Sequence, residues 1–304
     1  MRMKCMALFI FLLIPLISLT AKDNKSIAIL YPVLHPFFRE TSAGARIEAR
    51  NLGIEVIIDG PENSNVEDQL MILEKYISEG VDGIAISVSD PEILIPTINK
   101  AVQHDIKVLC FDSDAPGSQR LSYIGTQNTN AGVHIAQAVL TQIGERGSVL
   151  INLGSSNQAN LQERYHAFTS YLEVYPEIQI KSVFGGHGDY EDTVLQLEKA
   201  IEESPEFDIF VGFDAASGPA AVSVWRTRGL KKDIIVFDDQ KEVLEGIRDG
   251  IISSAIVQEQ KLWGELIVRT LSKALDGESI PEFIYTDTNQ ITLKNYSYYY
   301  PEFR

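Results

Sequence analysis

Two things are scarce in this sequence: cysteine and positive charge. The only cysteines are Cys5 and Cys110, which leaves no disulfide framework to hold the fold. Lys and Arg number 26 against 42 Asp and Glu, for a formal charge of −16. That deficit excludes the clustered basic face a nucleic acid needs and the polybasic patch that holds a protein on anionic lipid. There is no cysteine pair with zinc spacing and no His-Glu-x-x-His, and the five histidines are scattered, so no metal is expected. No Gly-x-Gly-x-x-Gly follows the first strand, and Gly185-Gly186-His187-Gly188 lacks the Lys-Ser/Thr of a phosphate loop. Neither a dinucleotide nor any other cofactor is implied.

What is present is globular material. Apolar residues make up 45% and charged residues 22% of 304, enough for two buried cores. The first residues are a separate object. Arg2 and Lys4 precede an apolar run from Met6 to Leu19, which ends in Thr20-Ala21 before the polar Lys22-Asp23-Asn24-Lys25. This order describes a secretory signal over residues 1–21, cut after Ala21. The run is short for a membrane span, which needs about 20 apolar residues. Because Leu19 stands where a smaller residue suits cleavage, an uncleaved anchor is the alternative. Cleavage leaves Cys110 alone, in Val108-Leu109-Cys110-Phe111, where it reads as a small buried hydrophobe.

The rest alternates strand and helix patterns. Strands are expected at 27–31, 55–59, 83–87, 107–112, 148–153, 178–184, 209–213, 234–238 and 254–257. Between them, Val66, Leu70, Leu73 and Ile77 make one apolar stripe at helical period. Pro91 and Pro219 stand where helices begin, a position that tolerates proline. Several strands are unbroken apolar runs, as parallel sheets buried on both faces require. The halves echo each other: Val108-Leu109-Cys110-Phe111-Asp112 resembles Ile235-Val236-Phe237-Asp238. Two similar α/β units are expected, with a cleft lined by the carboxyl ends of their strands.

Candidate binding residues sit at those ends. Phe37 and Phe38 follow Pro36 after the first strand and offer faces for a sugar ring; the alternative is that one packs inward as core. Asp112 and Asp238 close matched strands. A carboxylate there either accepts hydrogen bonds from sugar hydroxyls or caps a following helix. Arg164, early in a helix, is a forked donor or a surface charge. Gln258, ending Ala255-Ile256-Val257-Gln258, is an uncharged donor and acceptor.

Together these residues resemble the periplasmic monosaccharide-binding proteins of the ribose-binding type, from about Ser26 to Thr292. The stretch His35-Pro36-Phe37-Phe38 is similar to the family's Asn-Pro-Phe-Phe segment, with His35 replacing the asparagine. Asp112, Arg164, Asp238 and Gln258 fall on its aspartates, its second-domain arginine and its hinge-side glutamine. Tyr190 matches an aromatic position. Ser113 stands where a ribose binder has an arginine, and Phe213 stands near an expected asparagine, just before Asp214. The run Phe111-Asp112-Ser113-Asp114-Ala115-Pro116 looks closer to a glucose-binding branch, so an aldohexose is expected before a pentose.

The resemblance implies two doubly wound parallel-sheet lobes joined by a three-stranded hinge, the type I periplasmic binding protein fold. One lobe would hold residues 26–125 plus 259–285, the other 126–258 plus 286–304, with hinge crossings near 125–127, 258–259 and 286–288. It implies a monomer outside the cytoplasm, no catalytic residue, and delivery of the sugar to the membrane subunits of an ABC transporter. The same bound state could instead be presented to a sensor kinase or chemoreceptor. A rival of another class is a glycoside-processing enzyme using Asp112 and Asp238 as its carboxylate pair. A sugar-responsive repressor is disfavoured, since the first strand follows the signal directly and leaves no room for a DNA-binding module.

Overall fold

The computed structural model describes residues 25–186 and 188–300. Residues 1–24, with the expected signal and Cys5, and also His187 and residues 301–304, lie outside the described residues.

The chain opens with β1 (Ser26–Leu30), a three-residue 3-10 turn at Pro36–Phe38, α1 (Arg39–Leu52), β2 (Glu55–Asp59), α2 (Val66–Glu79), β3 (Gly83–Ile86), α3 (Pro91–Gln103), β4 (Lys107–Phe111) and β5 (Ser122–Thr126). It continues through α4 (Asn128–Ile143), β6 (Gly147–Asn152), α5 (Ala159–Leu172), β7 (Ile178–Phe184), α6 (Tyr190–Glu203), β8 (Ile209–Gly212), α7 (Ser217–Arg228), β9 (Asp233–Phe237), α8 (Lys241–Arg248) and β10 (Ser254–Gln258). Last come α9 (Gln260–Leu275), β11 (Phe283–Thr286), β12 (Thr288–Ile291) and α10 (Tyr296–Tyr299).

These strands form two six-stranded sheets, ordered β11-β5-β4-β3-β1-β2 and β12-β10-β9-β8-β6-β7. Every strand pair is parallel except β10 with β12. Both sheets follow one winding rule: the order reverses at β1/β3 in the first and at β6/β8 in the second. A crevice opens beyond the strand ends at such a reversal. The strands take this arrangement because their apolar runs are covered on both faces; β3 and β8 are buried throughout. Each sheet has two apolar layers, one per face.

Local sequence sets the helix starts. Asn65, Asp90 and Asp189 each accept a backbone N–H in the first turn of α2, α3 and α6, satisfying donors that have no partner within the helix. Pro91 is the first residue of α3. On the first sheet α1 packs on α9 at a crossing without side chains. A Cβ on Gly44 would stand 2.1 Å from the Lys261 carbonyl oxygen, and one on Gly264 would stand 2.0 Å from that of Thr41.

The chain passes between the two sheets after Thr126, after Gln258, and between Thr286 and Thr288. Three strands, β5, β11 and β12, lie outside those expected from sequence. They are the strands next to these passages, and β11 and β12 are edge strands with half-exposed residues that carry no unbroken apolar run. The tyrosine-rich tail packs on the second unit: Tyr296 and Tyr300 lie against its core, and the Tyr300 hydroxyl donates to the Asp239 carboxylate. Among the described residues no helix is long and apolar enough to cross a membrane.

Candidate functional site

Asp112 and Asp238 follow the last residues of β4 and β9 with φ of 58° and 70°, a left-handed conformation that aspartate tolerates better than most residues. Each N–H donates to the neighbouring strand, Asp112 to the Ile124 carbonyl (3.0 Å) and Asp238 to that of Ile256 (2.9 Å). Neither caps a helix. β5 follows Asp112, and α8 begins after Gln240, so the capping alternative does not hold. The side chains turn into the cleft instead. Asp112 Oδ2 accepts from Ser87 Oγ (2.8 Å) and Oδ1 from Asn160 Nδ2 (3.4 Å). Asp238 Oδ1 accepts from Gln258 Nε2 (2.8 Å).

Arg164 is 2% exposed. Its Nη1 donates to the Phe213 carbonyl (2.8 Å), and its Nη2 to Asn128 Oδ1 (2.9 Å) and Gln258 Oε1 (3.2 Å). The guanidinium carbon lies 3.9 Å from the centroid of the Phe237 ring, a cation–π contact in a desolvated setting. Its Nε, buried, has no protein acceptor. Gln258 ties this group to the hinge, because its Oε1 also accepts from Thr126 Oγ1 (2.8 Å).

The aromatic end is built differently. His35 Nδ1 accepts from the Phe37 N–H (3.2 Å) and so caps the 3-10 turn. That bond leaves the proton of the neutral ring on Nε2, and burial lowers the imidazole's pKa, which favours the neutral form. Phe38 stacks on Tyr31 (4.3 Å, 12°) and meets Phe37 edge-on at 4.8 Å. Phe37, half-buried, leans on Trp263 (6.0 Å).

Of these groups His35, Phe37, Phe38, Asp112, Asn160, Arg164, Asp238 and Gln258 line one cavity of about 1090 Å³ between the two units, together with Tyr190, Phe213 and Asp214. Two expectations change. Ser113 does not line it: the left-handed turn at Asp112 sends the next residue inward, where Ser113 is fully buried and gives its carbonyl to the Val88 N–H (3.1 Å). The Phe213 ring is core, edge-on to Phe168 at 5.3 Å and stacked on Phe237 at 6.2 Å; what it turns toward Arg164 is a backbone oxygen. Asp214 accepts from the Ser217 N–H (3.0 Å) and hydroxyl through Oδ1, while its buried Oδ2 has no donor. Tyr190, at the start of α6, is exposed.

Desolvation dominates the electrostatics. Burial pushes the Asp112 carboxyl up to about 6, opposed by the Ser87 bond and by Arg164. It pushes Asp238 up to about 7, opposed by Gln258 and Arg164. Asp214 is raised for the same reason. Burial pulls Arg164 down, and the Asp238 and Asp112 carboxylates hold it up. Arg164 is the one Lys or Arg among the described residues on the cavity wall.

Sequence reasoning missed Asn160, Asn128, Ser87, Asp90 and Asn157. Asn160 was within reach of it: it stands four residues before Arg164 on α5, hence on the same helix face. Ser87 and Asn128 become visible only once β3, β4 and α4 are placed side by side.

The comparisons agree with this geometry. The family described as "Periplasmic binding protein domain" matches residues 27–279. The ribose import binding protein RbsB of Bacillus subtilis strain 168 is 22% identical over 252 residues, 82% of this chain and 81% of its own. A solved ABC transporter solute binding protein from Burkholderia graminis C4D1M, in complex with D-arabinose, is 33% identical with a TM-score of 0.86, covering 90% of this chain and 97% of that one. GanP, a glucose-galactose binding protein from Geobacillus stearothermophilus, is 26% identical with a TM-score of 0.87, covering 90% and 99%. These are binding proteins, and the glycoside-processing reading of Asp112 and Asp238 falls with that finding. Over residues 27–279 this chain belongs to the periplasmic binding protein domain family.

Proposed function

We propose that this chain captures a monosaccharide between its two lobes outside the cytoplasm and hands it to the membrane subunits of an ABC sugar transporter. One observation carries the reading: buried Arg164 lies between two matched strand-end aspartates, one from each sheet, on the wall of a single cavity. A ligand that touches both lobes binds the closed arrangement better than the open one, which is what drives hinge closure. In this reading Asp112, Asp238 and Asp214 accept hydrogen bonds from hydroxyls, Arg164 and Gln258 donate to ring and hydroxyl oxygens, and His35 donates from Nε2. Phe37, Phe38 and Tyr190 cover the apolar face of the ring. The lobes are residues 26–125 plus 259–285 and 126–258 plus 286–304, and residues 1–21 direct export.

Relatives that carry ribose, arabinose, glucose or galactose in their names support a monosaccharide in kind. We place an aldohexose before a pentose on the Phe111–Pro116 run. The test is thermal unfolding against D-glucose, D-galactose, D-ribose, D-arabinose, inositols and amino acids. A ligand at 100 times its Kd adds about 2.7 kcal/mol to the folded state. A shift with one monosaccharide, an aldohexose, is the expected result. A pentose shift alone would overturn the aldohexose half, and no shift with any sugar would overturn the whole reading. The partner is tested by capture of the sugar-loaded chain on detergent-solubilised membranes; recovery of a sensor kinase or chemoreceptor in place of transporter subunits would replace the transport half.

A further inference from the structure

Two asparagines reach across the cleft from the start of α5. Asn157 Nδ2 donates to Asp90 Oδ2 (3.1 Å), and Asn160 Nδ2 donates to Asp112 Oδ1 (3.4 Å). Donors and acceptors belong to different sheets. Asn160 is buried at the sugar-facing carboxylate, where a ligand competes for the same oxygen. Asn157 is exposed, and its pair with Asp90 stands on the rim of the same cavity, away from the two strand-end carboxylates.

Its acceptor is held ready. Asp90 Oδ1 caps α3 by taking the Glu92 N–H (3.0 Å), which leaves Oδ2 pointing outward. The residues before it are braced by fully buried Gln69, whose Nε2 donates to the Ser87 carbonyl (2.7 Å) and whose Oε1 accepts from the Ser89 N–H (3.1 Å) and Ser89 Oγ (2.5 Å). With one partner immobile, only the Asn157 loop loses freedom when the bond forms.

We infer that Asn157 is a positioning residue that latches the two lobes through Asp90, so that the chain populates its closed arrangement before any sugar arrives. This goes beyond sugar capture and does not rest on which ligand is bound. Such a latch raises the population of the binding-competent state and lowers the conformational cost a ligand must overcome. An exposed hydrogen bond to a carboxylate changes the closed-to-open ratio by about two- to tenfold.

The experiment measures distances in the ligand-free full chain carrying Cys5→Ser and spin labels on Met71→Cys and Leu195→Cys, one on each lobe; Cys110 is buried and stays unlabelled. The unsubstituted latch is expected to give a short-distance population. Asn157→Ala should reduce it and Asn157→Asp, which sets two carboxylates face to face, should reduce it further. Asp90→Asn combined with Asn157→Asp should restore it, because asparagine still caps α3 and now supplies the donor. A distance distribution unmoved by Asn157→Asp, or a reversed pair that fails to recover the short population, would overturn the latch. Melting temperatures of all variants, expected to agree closely, separate a latch effect from loss of folding.

Discussion

Asp112 and Asp238 occupy the same place in two different sheets. Each follows a buried phenylalanine, Phe111 or Phe237, each has positive φ, and each gives its N–H to the carbonyl of the adjacent strand. The left-handed turn is what frees both carboxylates to face Arg164 from opposite lobes. Asparagine tolerates that turn while alanine is strained there, so Asp112→Asn and Asp238→Asn isolate the charge. Each is expected to keep the fold and to weaken sugar binding about 10- to 100-fold, the worth of a hydrogen bond to a charged group. Titration calorimetry with the sugar that shifts the melt checks it, and an unchanged Kd would remove that residue from the binding wall.

The same two carboxylates make stability depend on pH. Their folded values, about 6 and about 7, stand above the ordinary 3.8. The folded state therefore holds protons that the unfolded chain has released. Their contribution is fully present at and below pH 3.8 and is lost as pH rises through 6 and 7. Ligand-free protein is expected to melt at a higher temperature at pH 5 than at pH 8, and the double Asp→Asn variant should flatten that slope. A slope untouched by the substitutions would assign it to other groups.

Arg164 has a structural share as well as a binding one. Arg164→Met leaves the Phe213 carbonyl and Asn128 Oδ1 without their donor and the buried aspartates without a nearby cation. Removing one partner from a buried charge cluster costs roughly 3–5 kcal/mol, so this variant is expected to lose that much stability in urea unfolding as well as all sugar binding. Arg164→Lys keeps the charge but not the fork and should recover stability more than affinity.

The α1–α9 crossing predicts a purely structural effect. Gly264→Ala drives a methyl group into the Thr41 carbonyl. Overpacking of this kind costs about 1–3 kcal/mol, with little change in Kd once the protein is folded. Differential scanning calorimetry and binding on the same sample separate the two.

Much of the architecture was legible before any coordinates. Runs such as Ile27–Leu30 and Ile234–Phe237 are apolar at every position and can be satisfied only in a sheet covered on both faces. β5 escaped because Ser122-Tyr123-Ile124-Gly125-Thr126 has no such run. Its glycine is there because the Tyr123 ring fills the space, with Tyr123 Oη 2.5 Å from where a Cβ would sit. That hydroxyl donates to the Asp112 carbonyl (2.7 Å), a link between strands that no single stretch of sequence displays.

The cavity wall divides along the same line. Phe37, Phe38, Asp112, Arg164, Asp238 and Gln258, which line the cavity, could be picked out because their places near strand ends and helix starts coincide with the resemblance to the ribose-binding type. Ser113 and the Phe213 ring went astray because one residue decides whether a side chain faces the cleft or the core, and a left-handed φ at Asp112 reverses the simple alternation. Asn157 and Asp90 lie 67 positions apart, and their pairing depends on how one lobe rests on the other. Local patterning thus determined most of the elements and the two α/β units, since burial of apolar runs admits few arrangements. Which polar atoms meet across the cleft was decided by tertiary structure alone, because hydrogen bonds depend on tenths of an ångström that periodicity does not encode.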